Sequence, residues 1–191
     1  MTRSTLAALL TLALCACSGG TLVGPLPASP GGGTAAPPAT GPADLASLPA
    51  HCTARGSGLQ VLPDPACTPG AIDPRVTQDD LGTTVCRSGY TRTVRPPTSY
   101  TEPLKRELML RYGDTGPLGA YELDHLISLE LGGNPTSVAN LWPEPGASPN
   151  PKDQVELAAN RAVCSGRMTL ADAQRAIATD WVQLGRRLGA T

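Results

Sequence analysis

Residues 121–153, YELDHLISLELGGNPTSVANLWPEPGASPNPKD, constrain this chain more than any other stretch. Asp124 and His125 sit side by side in an apolar run, and His125 is one of only two histidines. The run ends at Gly132-Gly133, a turn signal. Asn140-Leu141-Trp142 then begins a second extended piece, and Asn150-Pro151 opens a helix. The order is strand, loop, strand, helix, a small ββα unit. Adjacent strand residues point to opposite faces, so Asp124 and His125 serve one site only if the strand ends or bulges there.

An imidazole with an ordinary pKa of ~6.5 suits a general base near neutral pH. A carboxylate beside it suits a hard cation that absorbs charge building on phosphate oxygens. On these residues the segment resembles the HNH (His-Me finger) endonuclease motif, which runs D-H, a Gly-Gly turn, N-L, then His or Asn at a helix start. Ser128 stands where proline is usual and Asn150 where histidine is more frequent, and there are no CxxC pairs for the zinc knuckles that brace many such domains. Through VCxxGYTxxVRPP, SYTxxLK, NLWPE and TLADAQRAIATDW the resemblance covers most of residues 86–181, and it is to the small exported or lipoprotein forms of high-GC bacteria.

The resemblance implies a role for each residue. His125 activates water; Asn140 braces the loop and orients His125. Asp124 and Asn150 hold a divalent ion, Mg²⁺ or Mn²⁺ first and Zn²⁺ or Ni²⁺ as alternatives, and Asp153 competes for the second ligand position. The residues alone carry a plainer reading too. Asn150, Pro151 and Asp153 form a helix N-cap, a first-turn proline and a capping-box acid. Glu122 and Glu130 read as solvated strand residues, and Asn140 as a turn former.

Upstream, residues 1–16 read as an export signal: Arg3, then an apolar run too short for a permanent span. Leu14-Cys15-Ala16-Cys17 resembles a lipobox, with Cys17 as the lipidated residue; ordinary secretion with cleavage near Ala16 is the alternative. Residues 17–50 are almost entirely Gly, Pro, Ala, Ser, Thr and Leu, a composition too poor in apolar surface to fold, so they form a disordered linker. Residues 51–191 are left as one domain. They contain Cys52, Cys67, Cys86 and Cys164, an even number that in an exported chain argues for two disulfides with three possible connectivities. Proximity along the chain favours Cys52–Cys67 and Cys86–Cys164, the second tying the pre-motif segment to the end of the motif helix. A cysteine zinc site is the runner-up, with poor spacing.

Residues 60–84 read as loops and residues 83–94, with β-branched alternation, as one or two strands. Ser99-Tyr100-Thr101-Glu102 reads as a capping box for a helix to about Tyr112 with Leu104, Leu108 and Tyr112 on one face. The motif helix covers 151–163 with Val155, Leu157, Ala158 and Ala162 apolar. Thr169 caps the last helix, whose Leu170, Ala173, Ile177, Trp181, Leu184 and Leu188 recur at core spacing.

The fold class is therefore α+β: a small ββα-metal (HNH-like) core with flanking helices, disulfide-braced. Charge qualifies the function. With Arg3 and Asp44 set aside, 14 basic and 15 acidic residues remain, far from the basic surface that nucleic-acid binders usually carry. Positives are local: Arg87, Arg92, Arg95, Lys105, Arg106 and Arg111 precede the motif and Lys152 lies in it, with Arg92, Arg95 and Lys152 the candidate phosphate contacts. Aromatics are too few for base stacking. The expectation is a metal-dependent, nonspecific phosphodiesterase acting on DNA or RNA at the cell envelope. It would be a monomer, membrane-anchored by lipid (or secreted), with no small-molecule cofactor. The alternative is a noncatalytic envelope lipoprotein that uses the scaffold to bind a wall polymer or a partner protein.

Overall fold

A computed structural model describes residues 45–190; the expected signal, Cys17 and nearly all of the linker lie outside the described residues. Among the described residues two short sheets and four α-helices make a mixed α and β fold with two disulfides. A hairpin comes first, β1 (Arg55–Ser57) against β2 (Gln60–Leu62), so a strand opens a stretch expected to be loop. Gly56 permits it: its φ is 102°, and a Cβ there would meet Gln60 O at 2.4 Å. Cys52–Cys67 encloses the hairpin, and Trp181 Nε1 donates to Val61 O at 2.8 Å, fixing it to the last helix.

No strand forms over residues 83–94. Turns run to residue 88, and α1 (Tyr90–Val94) follows. Asp80 O accepts from the amides of Thr83 and Thr84 and from both hydroxyls, and Cys86 N donates to Leu81 O. These local bonds satisfy the backbone that β-branched alternation would have offered to a ladder. α2 (Thr98–Tyr112) begins one residue earlier than its expected cap, because Pro97 takes the N-cap with extended backbone; no side chain caps it, and the Thr101 hydroxyl turns back to carbonyls. Leu104 and Leu108 are buried against Val138 and Leu141, while Tyr112 packs 6.3 Å from Trp142.

β3 (Tyr121–His125) pairs antiparallel with β4 (Leu141–Pro145), and α3 (Pro151–Cys164) follows, the strand–loop–strand–helix order expected. Val155, Ala159, Ala162 and Val163 face the core; Leu157 is exposed, since the buried stripe runs one position round the helix from the expected one. α4 (Leu170–Leu188) is capped by Thr169 Oγ1, which accepts from Asp172 N, and it buries Leu170, Ala173, Ile177, Trp181 and Leu184. Asp180 has extended backbone inside α4, and its carboxylate accepts from Gln183 N at 2.9 Å, re-capping the helix after the kink. Cys86–Cys164 joins the end of α3 to the turns before α1.

Candidate active site

The register of β3 on β4 sets the site. Glu122 lies opposite Glu144 and Asp124 opposite Trp142, so period-two alternation puts all four on one face. His125 is the last residue of β3, where alternation ceases to bind, and it lines the same pocket as Asp124. Both are buried.

The loop between the strands is held from inside. Asn140, fully buried, accepts from Ile127 N (2.9 Å) and Ala71 N (3.4 Å) through Oδ1 and donates to Ile127 O (3.0 Å) and Asn134 O (3.1 Å). Gly133 must be glycine for this to happen: a Cβ would stand 1.7 Å from Ile127 O and 2.8 Å from the Asn140 amide. The next residue after Asn134 is Pro135, whose carbonyl lies 3.0 Å from His125 Nε2. A carbonyl only accepts, so Nε2 carries the proton and Nδ1 is the acceptor nitrogen.

α3 supplies the other wall. Asn150 Oδ1 accepts from Lys152 N (2.9 Å) and Asp153 N (3.3 Å), and Asp153 Oδ2 accepts from Asn150 N (2.8 Å), a complete capping box. The Asn150 amide turns to Glu122 Oε2 (3.2 Å) and Glu144 Oε2 (3.5 Å). In the first turn of the helix Lys152 is fully buried, its Nζ 2.8 Å from Asp124 Oδ2, 2.9 Å from His125 O and 2.5 Å from Glu156 Oε1. Trp142 Nε1 also donates to Asp124 Oδ2, at 2.9 Å.

These residues surround a pocket of about 400 Å³ lined by Glu122, Asp124, His125, Glu130, Asp153 and Glu156, with exposed Arg95 at its edge. Its electrostatics follow from burial. Burial draws the His125 imidazole down to about 4, and it is neutral at neutral pH. Burial pushes Glu156 up to about 7 against the pull of Lys152, and Glu144, desolvated beside Asp124, up to about 9. Glu122 and Glu130 are raised by the same desolvation, with Asp153 adding to each. Lys152 is pulled down by burial, but the carboxylates of Asp124, Glu156 and Glu144 more than restore it, and its ammonium is held above the ordinary lysine value.

Of the residues singled out in the sequence, Asp124, His125, Asp153 and Arg95 share this pocket. Arg92 is exposed on α1, outside it. Lys152, expected to contact phosphate, is closed off from solvent, with its ammonium on Asp124, Glu156 and the His125 carbonyl. Asn150, expected to hold an ion, has its only side-chain oxygen on the helix cap and its donor amide toward Glu122 and Glu144. Asp124 Oδ2 is taken by two donors. Among the described residues no three His, Cys, Asp or Glu side chains converge on a metal position. The oxygen of Asn150 and Oδ2 of Asp124, two of the atoms that the resemblance would turn to an ion, thus accept from donors within the fold.

Four residues went unread as functional in the sequence: Glu122, Glu130, Glu144 and Glu156. Glu122 and Glu130, expected in solvent, are half-buried, and Glu130 Oε2 is enclosed with no hydrogen-bond partner. The signals were there for two of them, since Glu122 shares a strand face with Asp124, and Glu156 is four residues from Lys152 on a helix. No family model, curated protein or solved structure matches this chain.

Proposed function

We propose that this chain is a phosphodiester hydrolase of the nuclease type, with His125 as general base. The observation that carries the reading is the His125 ring, held through Nε2 by Pro135 O within a pocket edged by Arg95. The hydrogen bond leaves Nδ1 as the proton-accepting atom, and burial keeps the ring neutral. In this reading Arg95 binds a phosphate oxygen, and His125 takes a proton from water as the water oxygen forms its bond to phosphorus. The bond from phosphorus to the leaving oxygen breaks, and that oxygen takes a proton from Glu156, whose raised affinity keeps a proton available near neutral pH. Asn140 is a positioning residue, acting through the Asn134-Pro135 segment that holds His125.

Two disulfides belong to an oxidising environment outside the cytosol, and among the described residues no helix is long and apolar enough to cross a membrane. We propose export with anchoring through a lipid on Cys17, which places the site at the cell envelope.

One observation favours the noncatalytic envelope protein. Lys105 Nζ is bonded to Leu118 O and Arg111 to the Leu48 and Pro49 carbonyls, so with Lys152 three of the expected basic residues serve the fold rather than a phosphate backbone. Plasmid nicking by the oxidised chain decides between the two, measured with Mg²⁺, with Mn²⁺ and in EDTA, wild type beside His125→Ala. The hydrolase reading expects a rate loss on the order of 10²–10⁴ in the variant. Equal activity in both proteins, or none under any condition from folded protein, sinks it.

A further inference from the structure

Around Asp124 the pocket wall is already built on a positive charge. Lys152 Nζ has three protons to donate and three acceptors in reach: Asp124 Oδ2 at 2.8 Å, Glu156 Oε1 at 2.5 Å and His125 O at 2.9 Å. The lysine is fully buried, where an ammonium persists only when it is paired and hydrogen-bonded. Its acceptors come from two elements, Asp124 and His125 from the end of β3 and Glu156 from α3, so the ammonium ties strand to helix at the edge of the pocket.

A divalent ion at Asp124 meets two obstacles. Coordination to Oδ2 displaces both Trp142 Nε1 and Lys152 Nζ, while coordination to the other oxygen sets two like charges close together in a poorly solvated wall. The residue expected to share the ion, Asn150, has its oxygen on the backbone amides of Lys152 and Asp153.

We infer that Lys152 is the resident cation of this site: its ammonium takes the position beside Asp124 that the resemblance gives to a divalent ion, and it holds Asp124 and the end of β3 in place. The consequence for catalysis, which rests on the hydrolase reading, is that the pocket accepts a phosphodiester with no metal ion bound at Asp124.

The test uses the full oxidised chain and Mn²⁺ alone as probe, with free Mn²⁺ followed by electron paramagnetic resonance. Wild type should hold almost no Mn²⁺ at this site, and Asp124→Asn should change nothing. Lys152→Met should gain one Mn²⁺ site, tighter than wild type by about tenfold or more, because the unpaired carboxyls now welcome a hard cation. The gain should vanish in Lys152→Met/Asp124→Asn. Since Lys152→Met leaves carboxyls unpaired and endangers the fold, Lys152→Met/Glu156→Gln, which removes the ammonium together with one of its two carboxyl partners, is measured beside it and should also gain a site at Asp124. A wild-type Mn²⁺ site lost in Asp124→Asn overturns the inference, as does a folded Lys152 variant with no gain. Nicking in EDTA separates the two proposals. Activity that persists supports both; activity that EDTA abolishes and Mn²⁺ restores overturns the resident cation and leaves the hydrolase standing. If no nicking occurs at all, the hydrolase reading falls, and the Mn²⁺ measurement alone still decides the role of Lys152.

Discussion

His125 and Glu156 line one pocket with proton affinities displaced in opposite senses, the imidazole down to about 4 and the carboxyl up to about 7, each chiefly by burial. A base that is free above about 4 and an acid that is loaded below about 7 give a bell-shaped kcat/KM profile, highest on the acid side of neutrality. Nicking rates measured from pH 3 to 9 should show it, and Glu156→Gln should lower the rate and remove the alkaline limb; an unchanged limb in that variant denies Glu156 the proton. Glu144 acts on stability instead. Its folded value of about 9 exceeds the ordinary ~4.5 of an unfolded glutamate, so its stabilising contribution is complete below ~4.5 and is lost as pH rises through about 9. His125 has the opposite sign: its contribution is present above ~6.5 and is lost as pH falls through about 4. Glu144→Gln mimics the protonated acid, so urea unfolding should find it more stable than wild type at pH 8, by on the order of 1–3 kcal/mol, and no different at pH 4. The Asp124-His125 pair and Asn140 stand out in the sequence because each is a polar residue inside an apolar run. Glu144 and Glu156 do not, since an exposed glutamate and a buried one look alike until the strand register and the helix rotation are known.

At the scale of elements, the caps of α3 and α4 were readable, while the cap expected at Ser99 gave way to Pro97. Asn150-Pro151 with Asp153 announces the start of α3, and the structure has that capping box complete. What the letters conceal is that the same asparagine turns its amide onto Glu122 and Glu144, a contact made across the strand pair. Asn150→Asp separates the two roles. The carboxylate keeps an acceptor for the cap, yet it replaces a donor with a third acid beside two others. Urea unfolding should find the variant about 1–3 kcal/mol less stable than wild type at pH 8. If Asn150 were instead a cation ligand, the aspartate would raise Mn²⁺ affinity in an otherwise wild-type chain. The misread strand over residues 83–94 has the same root. β-branched alternation marks backbone that suits a ladder, but among the described residues β3 and β4 pair only with each other, and Asp80 O gathers the nearby amides and hydroxyls into turns before α1.

The whole molecule has no phenylalanine, and its core consists of aliphatic side chains around two fully buried tryptophans whose indole nitrogens donate to Asp124 and Val61 O. Crosslinks supplement so lean a core. Cys52–Cys67 spans 15 residues and Cys86–Cys164 spans 78, the pairing that proximity along the chain favours. In the chain-entropy model the longer loop is the stronger restraint, about 4 to 5 kcal/mol against about 3. Its placement matters more than its size. Asn160, one helical turn before Cys164, donates to Val85 O at 3.1 Å and Glu130 O at 2.8 Å, so the disulfide and this side chain together press α3 onto the loop that carries Glu130. Lys152 and Glu156 ride on that same helix, facing Asp124 and the His125 carbonyl. Replacing Cys86 and Cys164 by alanine should therefore lower both the urea midpoint and the nicking rate of protein that is still folded. Replacing Cys52 and Cys67, which close only the hairpin region, should lower the midpoint by a smaller amount and leave the rate of the folded fraction near wild type. Rates normalised to the folded fraction make the comparison; equal losses in both double variants would mean that the long crosslink stabilises the domain without positioning the site.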